Sequence, residues 1–199
     1  MSYIGFADPS GGSSDSFTLA IGHHDLNAQS VILDCVREHK LPFSPDQVVS
    51  EYATLLKSYR VHTITSDKYA GSWVTEQFSK FGITCEQSAR PKSELYVDLL
   101  PLINSARISL IDHPKLVNQL CGLERRTSRS GRDTIDHVPG GHDDLANVLA
   151  GIAATNNTFG YTLAGFQPDA NDGDDQTDAY RERRQAVVDV WLGAIGRLQ

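Results

Sequence analysis

The stretch Phe6-Ala7-Asp8-Pro9-Ser10-Gly11-Gly12 ends the apolar start of the chain. Tyr3 to Ala7 is predicted as the first β-strand, because a short apolar run that stops at Pro and Gly is typical of a buried strand. Proline has no amide hydrogen, so Pro9 cannot continue the strand's hydrogen-bond ladder. We therefore expect Asp8 at the carboxyl end of a buried strand.

Two further acidic motifs follow along the chain. They are Thr63-Ile64-Thr65-Ser66-Asp67 and Gly140-Gly141-His142-Asp143-Asp144-Leu145-Ala146. The first closes an apolar run that predicts a strand over Val61 to Thr65, and the second begins an Ala-rich helix predicted over Asp143 to Ala154. Ligands of open α/β sheets bind at the carboxyl ends of the strands, so these acids can meet Asp8 at one edge of the sheet.

Converging carboxylates repel each other unless cations hold them together, and hard divalent cations prefer oxygen ligands. Two such ions can stabilise the attacking and leaving oxygens of a phosphodiester. The pattern therefore predicts a metal-dependent nuclease with a set of four candidate ligands: Asp8, Asp67, Asp143 and Asp144. Asp67 could instead cap the next helix, and either acid of the pair could cap its own helix. Which acid of the pair would bind a cation stays open.

The order of the elements predicts the fold class. Strands over Ser16 to Gly22 and Ser30 to Val36 would form an antiparallel meander with the first strand, joined by a polar turn at His23 to Asn27. Strands that alternate with helices follow, which predicts an α/β fold: a mixed sheet, antiparallel and then parallel, flanked by helices. We expect this domain to span residues 1–165, with an acidic linker and a C-terminal helix over residues 166–199.

Charge and hydropathy indicate in which compartment the protein acts and which partners it can bind. The formal net charge is −7. Residues 168–182 carry six acids against one arginine, which leaves −2 on the rest of the chain. No apolar run is long enough to cross a bilayer and no signal peptide is visible, so we expect a cytoplasmic protein without a membrane partner. The three cysteines are expected as reduced core thiols.

One cationic cluster lies just before the acid pair, in a polar segment over Arg125 to His137 that is predicted as a hairpin or long loop. Its arginines, together with one lysine earlier in the chain, are the predicted DNA contacts: Arg125, Arg126, Arg129, Arg132 and Lys92. Such side chains would bind backbone phosphates and set affinity without reading sequence. The alternative is a solvated basic surface.

In this order, the three acidic motifs resemble the nuclease domain of the large terminase subunit of tailed bacteriophages, a member of the ribonuclease H-like superfamily. The resemblance covers roughly residues 1–155. It implies that Asp8 bridges two Mg²⁺ or Mn²⁺ ions and that Asp67 and the acid pair supply the other ligands. It also implies cleavage of concatemeric double-stranded viral DNA during genome packaging, in the host cell cytoplasm. The partners would be a terminase ATPase domain, the portal and the small terminase subunit.

The chain departs from a whole terminase because it contains no Gly-x-x-x-x-Gly-Lys-Ser/Thr loop, so ATP use is not supported. Two alternatives remain open. One is a Holliday-junction resolvase or integrase-like nuclease of the same fold. The other is a catalytically silent DNA-binding assembly module.

Overall fold

A computed structural model describes residues 1–11, 15–127 and 133–155. The strands are β1 Tyr3–Asp8, β2 Phe17–Asp25, β3 Ser30–His39, β4 Thr63–Ser66, β5 Thr84–Gln87, β6 Ile108–Ser109, β7 Leu123–Thr127 and β8 Asp133–His137. The helices are α1 Pro45–Ser58, α2 Ser72–Lys80, α3 Lys92–Asn104, α4 Pro114–Cys121 and α5 Asp144–Thr155. The predicted acidic linker and C-terminal helix of residues 166–199 lie outside the described residues.

Six strands form one mixed sheet in the order β5-β4-β1-β2-β3-β6. β1, β2 and β3 are antiparallel neighbours, whereas β4 runs parallel to β1 and β5 parallel to β4. The predicted α/β fold with a mixed sheet flanked by helices is therefore confirmed. The parallel register pairs Ala7 with Ser66, so Asp8 and Asp67 leave neighbouring strands at the same edge of the sheet.

The meander is longer than its hydropathy pattern predicts. The predicted turn at His23 to Asn27 is wrong at its start, because His23 still pairs with Ile32 and β2 ends only at Asp25. The Asp25 carboxylate accepts hydrogen bonds from the backbone amides of Asn27 and Ala28. A side chain that satisfies the turn in this way lets the polar histidines stay within the ladder.

The first face of the sheet packs on α1. Tyr52 of that helix is fully buried, donates a hydrogen bond to the Phe17 carbonyl oxygen at 2.7 Å and meets the Phe17 ring edge-on. Among the cysteines, Cys35 and Cys85 are buried but Cys121 is exposed. The expectation that all three are core thiols is therefore wrong for Cys121, because α4 is a peripheral helix and Cys121 is its last residue.

The second face of the sheet is covered by α5, which is buried from Asp144 to Ala154. Successive side chains of a strand point to opposite faces, so Phe6 and Asp8 share the face that α5 covers. Gly151 permits the close approach, since a Cβ atom there would lie 2.1 Å from Cγ of Phe6. One helical turn earlier, Asn147 comes to lie beside Asp8.

The segment before α5 is an antiparallel hairpin of β7 and β8, in which Arg125 pairs with Ile135. The prediction of a hairpin or long loop is thus confirmed as a hairpin. The described residues end at Thr127 on one strand and resume at Asp133 on the other, so the predicted contacts Arg129 and Arg132 lie outside them. Within the described ranges, no helix has the length and apolar character needed to span a bilayer.

Candidate metal centre

Asp67 is held rigidly at the end of β4. Its backbone amide donates to the Ala7 carbonyl oxygen at 2.9 Å, and its Oδ1 accepts from the Tyr69 amide at 2.8 Å. The next helix, α2, begins only at Ser72 and has Gly71 at its N-cap position. Asp67 is therefore not the cap of that helix, and its second carboxylate oxygen stays available to the site.

A residue that the sequence analysis missed joins the two strand-end acids. Asn147 is only 1% exposed, and its Nδ2 donates to Asp8 Oδ2 at 2.8 Å and to Asp67 Oδ2 at 3.2 Å. The available signal was a lone amide inside an otherwise apolar helix, four residues after Asp143 and hence on the same helical face. The amide brings both acids to one point.

The environment of Asp8 disfavours its ionised form. Burial is the main cause that raises the pKa of Asp8 to about 8, and the hydrogen bond from Asn147 opposes it. The negative charges of Asp67, Asp144 and Asp143 raise the pKa further, in that order of importance. All four acids predicted from sequence thus lie in one electrostatic neighbourhood, in which the other three destabilise the charge of Asp8.

The start of α5 does not need its own acids as caps. Gln119 of α4 accepts hydrogen bonds at Oε1 from the backbone amides of Leu145, at 2.8 Å, and Ala146, at 3.1 Å. These amides are among those that have no partner within a helix. Because a neighbouring helix satisfies them, the carboxylates of Asp143 and Asp144 are free for other contacts.

The Asp143 carboxylate is already neutralised. Lys92 Nζ lies 2.9 Å from Oδ2 and 3.2 Å from Oδ1, and the Tyr96 hydroxyl donates to Oδ2 at 2.8 Å. Lys92 also pairs with Asp136 of β8 at 2.8 Å. Burial alone would lower the pKa of Lys92, but hydrogen bonds to Asp136 and Asp143 outweigh it and raise that pKa.

The neighbouring acid, Asp144, has a different environment. It is 8% exposed, and its Oδ2 is buried with no hydrogen-bond partner in the described part of the chain. Burial raises the pKa of Asp144, as do the charges of Asp143 and Asp15, while His142 and Lys115 oppose the rise. A buried acceptor without a donor is costly, and a cation would satisfy it.

Among the described residues, two groups have possible ligand atoms within 4.8 Å of one another: Asp15 with His142 and Asp144, and Asp136 with His137 and Asp143. Each group contains one acid of the pair, and neither contains Asp8 or Asp67. The four predicted acids therefore surround a space wider than the ligand shell of one preformed ion. The carboxylate oxygens of these acids, together with Oδ1 of Asn147, which has no partner in the part of the chain that the structure describes, fit a hard divalent cation.

The predicted DNA contacts are distributed over two elements. Lys92 lies at the start of α3 and pairs with carboxylates of the site, whereas Arg125 and Arg126 lie on β7. Arg126 is partly exposed and donates from Nη2 to the His137 carbonyl oxygen across the hairpin at 2.6 Å. The hairpin also contacts α3, because the Ile135 amide donates to Ser93 Oγ at 3.2 Å.

Comparisons with known proteins agree on the fold. No model of a protein family and no curated protein matches the sequence. Three similar solved structures are the large terminase nuclease of thermophilic phage G20c with bound magnesium, the K428A mutant nuclease domain of the large terminase subunit gp2 of bacterial virus Sf6 with manganese and beta-thujaplicinol, and the large terminase of bacteriophage HK97. Their sequence identities to this chain are 19%, 12% and 11%, and their TM-scores are 0.65, 0.62 and 0.61.

The aligned region is extensive in the two nuclease structures. It covers 78% of this chain and 81% of the G20c nuclease, and 77% of this chain and 88% of the Sf6 domain. In the HK97 terminase it covers 77% of this chain but 39% of that protein. At these identities the likeness establishes the fold, so the chain has the ribonuclease H-like fold of the nuclease domain of phage large terminases, as its three acidic motifs predict.

Proposed function

We propose that the chain is a metal-dependent endonuclease that cuts double-stranded DNA, with Asp8, Asp67 and Asp144 as the principal ligands of two Mg²⁺ or Mn²⁺ ions. The observation that carries the proposal is the convergence of Asp8 and Asp67 on the Asn147 amide. Asp144 adds its charge to the environment of Asp8, and its Oδ2 has no hydrogen-bond partner among the described residues. Carboxylates brought together by three separate elements are typical of a divalent metal site.

The second acid of the pair has a supporting role in this proposal. Lys92 and Tyr96 hold both oxygens of Asp143 and so fix the start of α5 against α3. Asp143 joins the ligand set only if a bound ion displaces Lys92, which would then be free to contact a phosphate oxygen. Asp144 needs no such exchange, because its Oδ2 has no hydrogen bond to give up among the described residues.

Each part of the chain then has a defined task in cleavage. β1 and β4 hold Asp8 and Asp67 at one sheet edge, and the cap from Gln119 orients the start of α5. Two divalent ions held there would stabilise the negative charge that develops on the attacking and leaving oxygens of the phosphodiester. The hairpin arginines would bind DNA phosphates beside the site and keep the scissile bond in place.

The packaging role is the finer part of the proposal. Fold and acidic motifs together support a nuclease that cuts concatemeric viral DNA in the host cell cytoplasm, in company with a terminase ATPase domain, the portal and the small terminase subunit. The structurally similar nucleases with bound magnesium or manganese support those two ions as the cofactors of this chain.

Digestion of supercoiled plasmid tests the proposal. We expect nicked and linear products with Mg²⁺ or Mn²⁺ and none with chelator. Asp8→Asn should give none under any condition, while Asp46→Asn, an exposed acid in the first turn of α1, should cut like the wild type. Absence of metal-dependent cleavage by the wild type would contradict the proposal. Preference for a four-way junction over linear duplex would indicate a resolvase instead.

A further inference from the structure

Asn147 has an unusual combination of contacts, whose interpretation rests on the proposed cation site. Its Nδ2 donates to one oxygen each of Asp8 and Asp67. Its Oδ1 is buried and has no hydrogen-bond partner in the described ranges. One end of the amide therefore satisfies two carboxylates, while the other end leaves an acceptor unsatisfied at a cost in free energy.

In the absence of a cation, this orientation is the favourable one. The two amide hydrogens carry partial positive charge, and each faces a carboxylate oxygen. Whenever Asp8 is ionised, they reduce the repulsion between Asp8 and Asp67 in the way that a bound cation would, though more weakly because the amide is neutral. Hydrogen bonds to charged groups are stronger than those between neutral groups, which outweighs the unsatisfied Oδ1.

A divalent cation between the two acids reverses the preference. The amide hydrogens would then face a positive charge, whereas Oδ1 is the type of ligand that Mg²⁺ and Mn²⁺ accept. The oxygen and nitrogen of a primary amide have nearly the same size, so a half-turn of the amide exchanges them without repacking the helix. The Gly151 contact with Phe6 fixes α5 against β1, so the side chain rather than the helix has to respond.

We propose that Asn147 is a placeholder for the cation: its amide bridges Asp8 and Asp67 in the cation-free protein and turns on cation binding, so that Oδ1 becomes a further ligand. The side chain thus keeps the two acids at one point before the ion arrives and completes the ligand shell afterwards.

Nuclear magnetic resonance of the ¹⁵N-labelled full chain follows the turn directly, with the Asn147 side-chain signals assigned from their absence in Asn147→Asp. On addition of Mg²⁺ we expect both amide protons of Asn147 to shift and to exchange with water at least about tenfold faster, since they lose their carboxylate acceptors. If backbone signals around Asp67 respond to Mg²⁺ while the Asn147 amide protons keep their shifts and slow exchange, the inference is wrong. If no signal responds, the proposed cation site itself is wrong.

Mn²⁺ calorimetry gives a second test with a matched control. Asn147→Asp places a charged oxygen where Oδ1 would turn, so Mn²⁺ should bind at least about tenfold tighter, because added ligand charge raises cation affinity. Asn104→Asp makes the same amide-to-carboxylate change at an exposed position at the far end of α3, and its Mn²⁺ affinity should stay within about threefold of the wild type. Equal affinities of the two variants would overturn the inference, because general electrostatic attraction alone would explain them.

Discussion

Two corners of the site hold carboxylates in opposite ways. At the strand ends, Asp8 and Asp67 share one neutral amide, and the pKa of Asp8 is raised to about 8. At the corner of α3 and the hairpin, Asp143 binds the Lys92 ammonium and the Tyr96 hydroxyl. The second corner is electrostatically complete without an added ion, whereas the first is not. The difference indicates where a cation gains most and which acids serve architecture.

The largest expected effect separates the two corners by substitution. Asp8→Asn should lower cleavage by at least about 1,000-fold, or about 4 kcal/mol of barrier, yet leave the cation-free protein as stable as the wild type or more so. Asp143→Asn should destabilise the fold by about 1–3 kcal/mol, because it removes the charged acceptor of Lys92. Plasmid cleavage and thermal unfolding measure both effects. The two roles would be exchanged if Asp143→Asn kept the melting temperature of the wild type while Asp8→Asn lost much of it.

The arginines of the hairpin are proposed to bind DNA and not the cation, so replacing them should affect DNA affinity alone. If the four arginines grip phosphates, each lost contact should reduce the log-log salt slope of binding by roughly one unit. Replacing Arg125, Arg126, Arg129 and Arg132 together by Ala should weaken binding to any duplex by about 100-fold at low salt, with Mn²⁺ affinity unchanged. DNA affinity measured at several salt concentrations decides the matter. An unchanged slope would show a solvated surface and leave the DNA path to other residues.

The pH dependence of the unfolding free energy tests the environment of Asp8 at the strand-end corner. The folded pKa of Asp8 is about 8 against 3.8 in the unfolded chain, so between these values the folded protein holds the extra proton. Stability from this group is complete below about pH 4 and is lost as the pH rises toward 8, with a slope of up to about 1.4 kcal/mol per pH unit. The cation-free wild type should lose stability relative to Asp8→Asn between pH 5 and 8. A difference that does not change with pH would place Asp8 in an ordinary environment.

The smallest effect concerns Lys92. Lys92→Met removes the ammonium that links Asp143 to Asp136 of β8, so the hairpin and the acid pair lose a common anchor. We expect a loss of about 1–2 kcal/mol in unfolding free energy and a roughly tenfold drop in cleavage, because Lys92 holds the start of α5, which carries the proposed ligand Asp144. As a control, Lys80→Met removes an ammonium in the last turn of α2 that donates to Gln77 and takes no part in the site. Equal losses of cleavage in both variants would remove the special role of Lys92.

Sequence alone predicted the parts of the site that depend on local pattern. Asp8 and Asp67 end apolar runs, and a parallel neighbour relation of their strands brings them together. The acid pair can be recognised in the sequence because it lies at the start of an apolar helix. These signals are local, and the mixed sheet follows from the order of elements, which is why the fold prediction is confirmed.

The missed parts depend on contacts between distant segments. Asn147 reaches Asp8 only because Gly151 lets α5 approach Phe6 closely, and no pattern within the helix states which strand it will meet. Lys92 and Asp143 are 51 residues apart, so their pairing requires the packing of α3 beside α5. The meander was predicted too short because hydrogen bonding keeps polar His23 in β2.

Calorimetric titration of Mn²⁺ into the full chain at pH 7 shows directly whether the strand-end acids bind the ion. We expect the wild type to bind Mn²⁺ with release of about one proton, since the ion displaces the proton that Asp8 retains because of its raised pKa. Asp46→Asn should behave identically and Asp8→Asn should bind far more weakly without proton release. Proton release follows from repeating the titration in buffers of different ionisation enthalpy. Equal Mn²⁺ binding by wild type and Asp8→Asn would contradict the claim that the strand-end acids form the metal site.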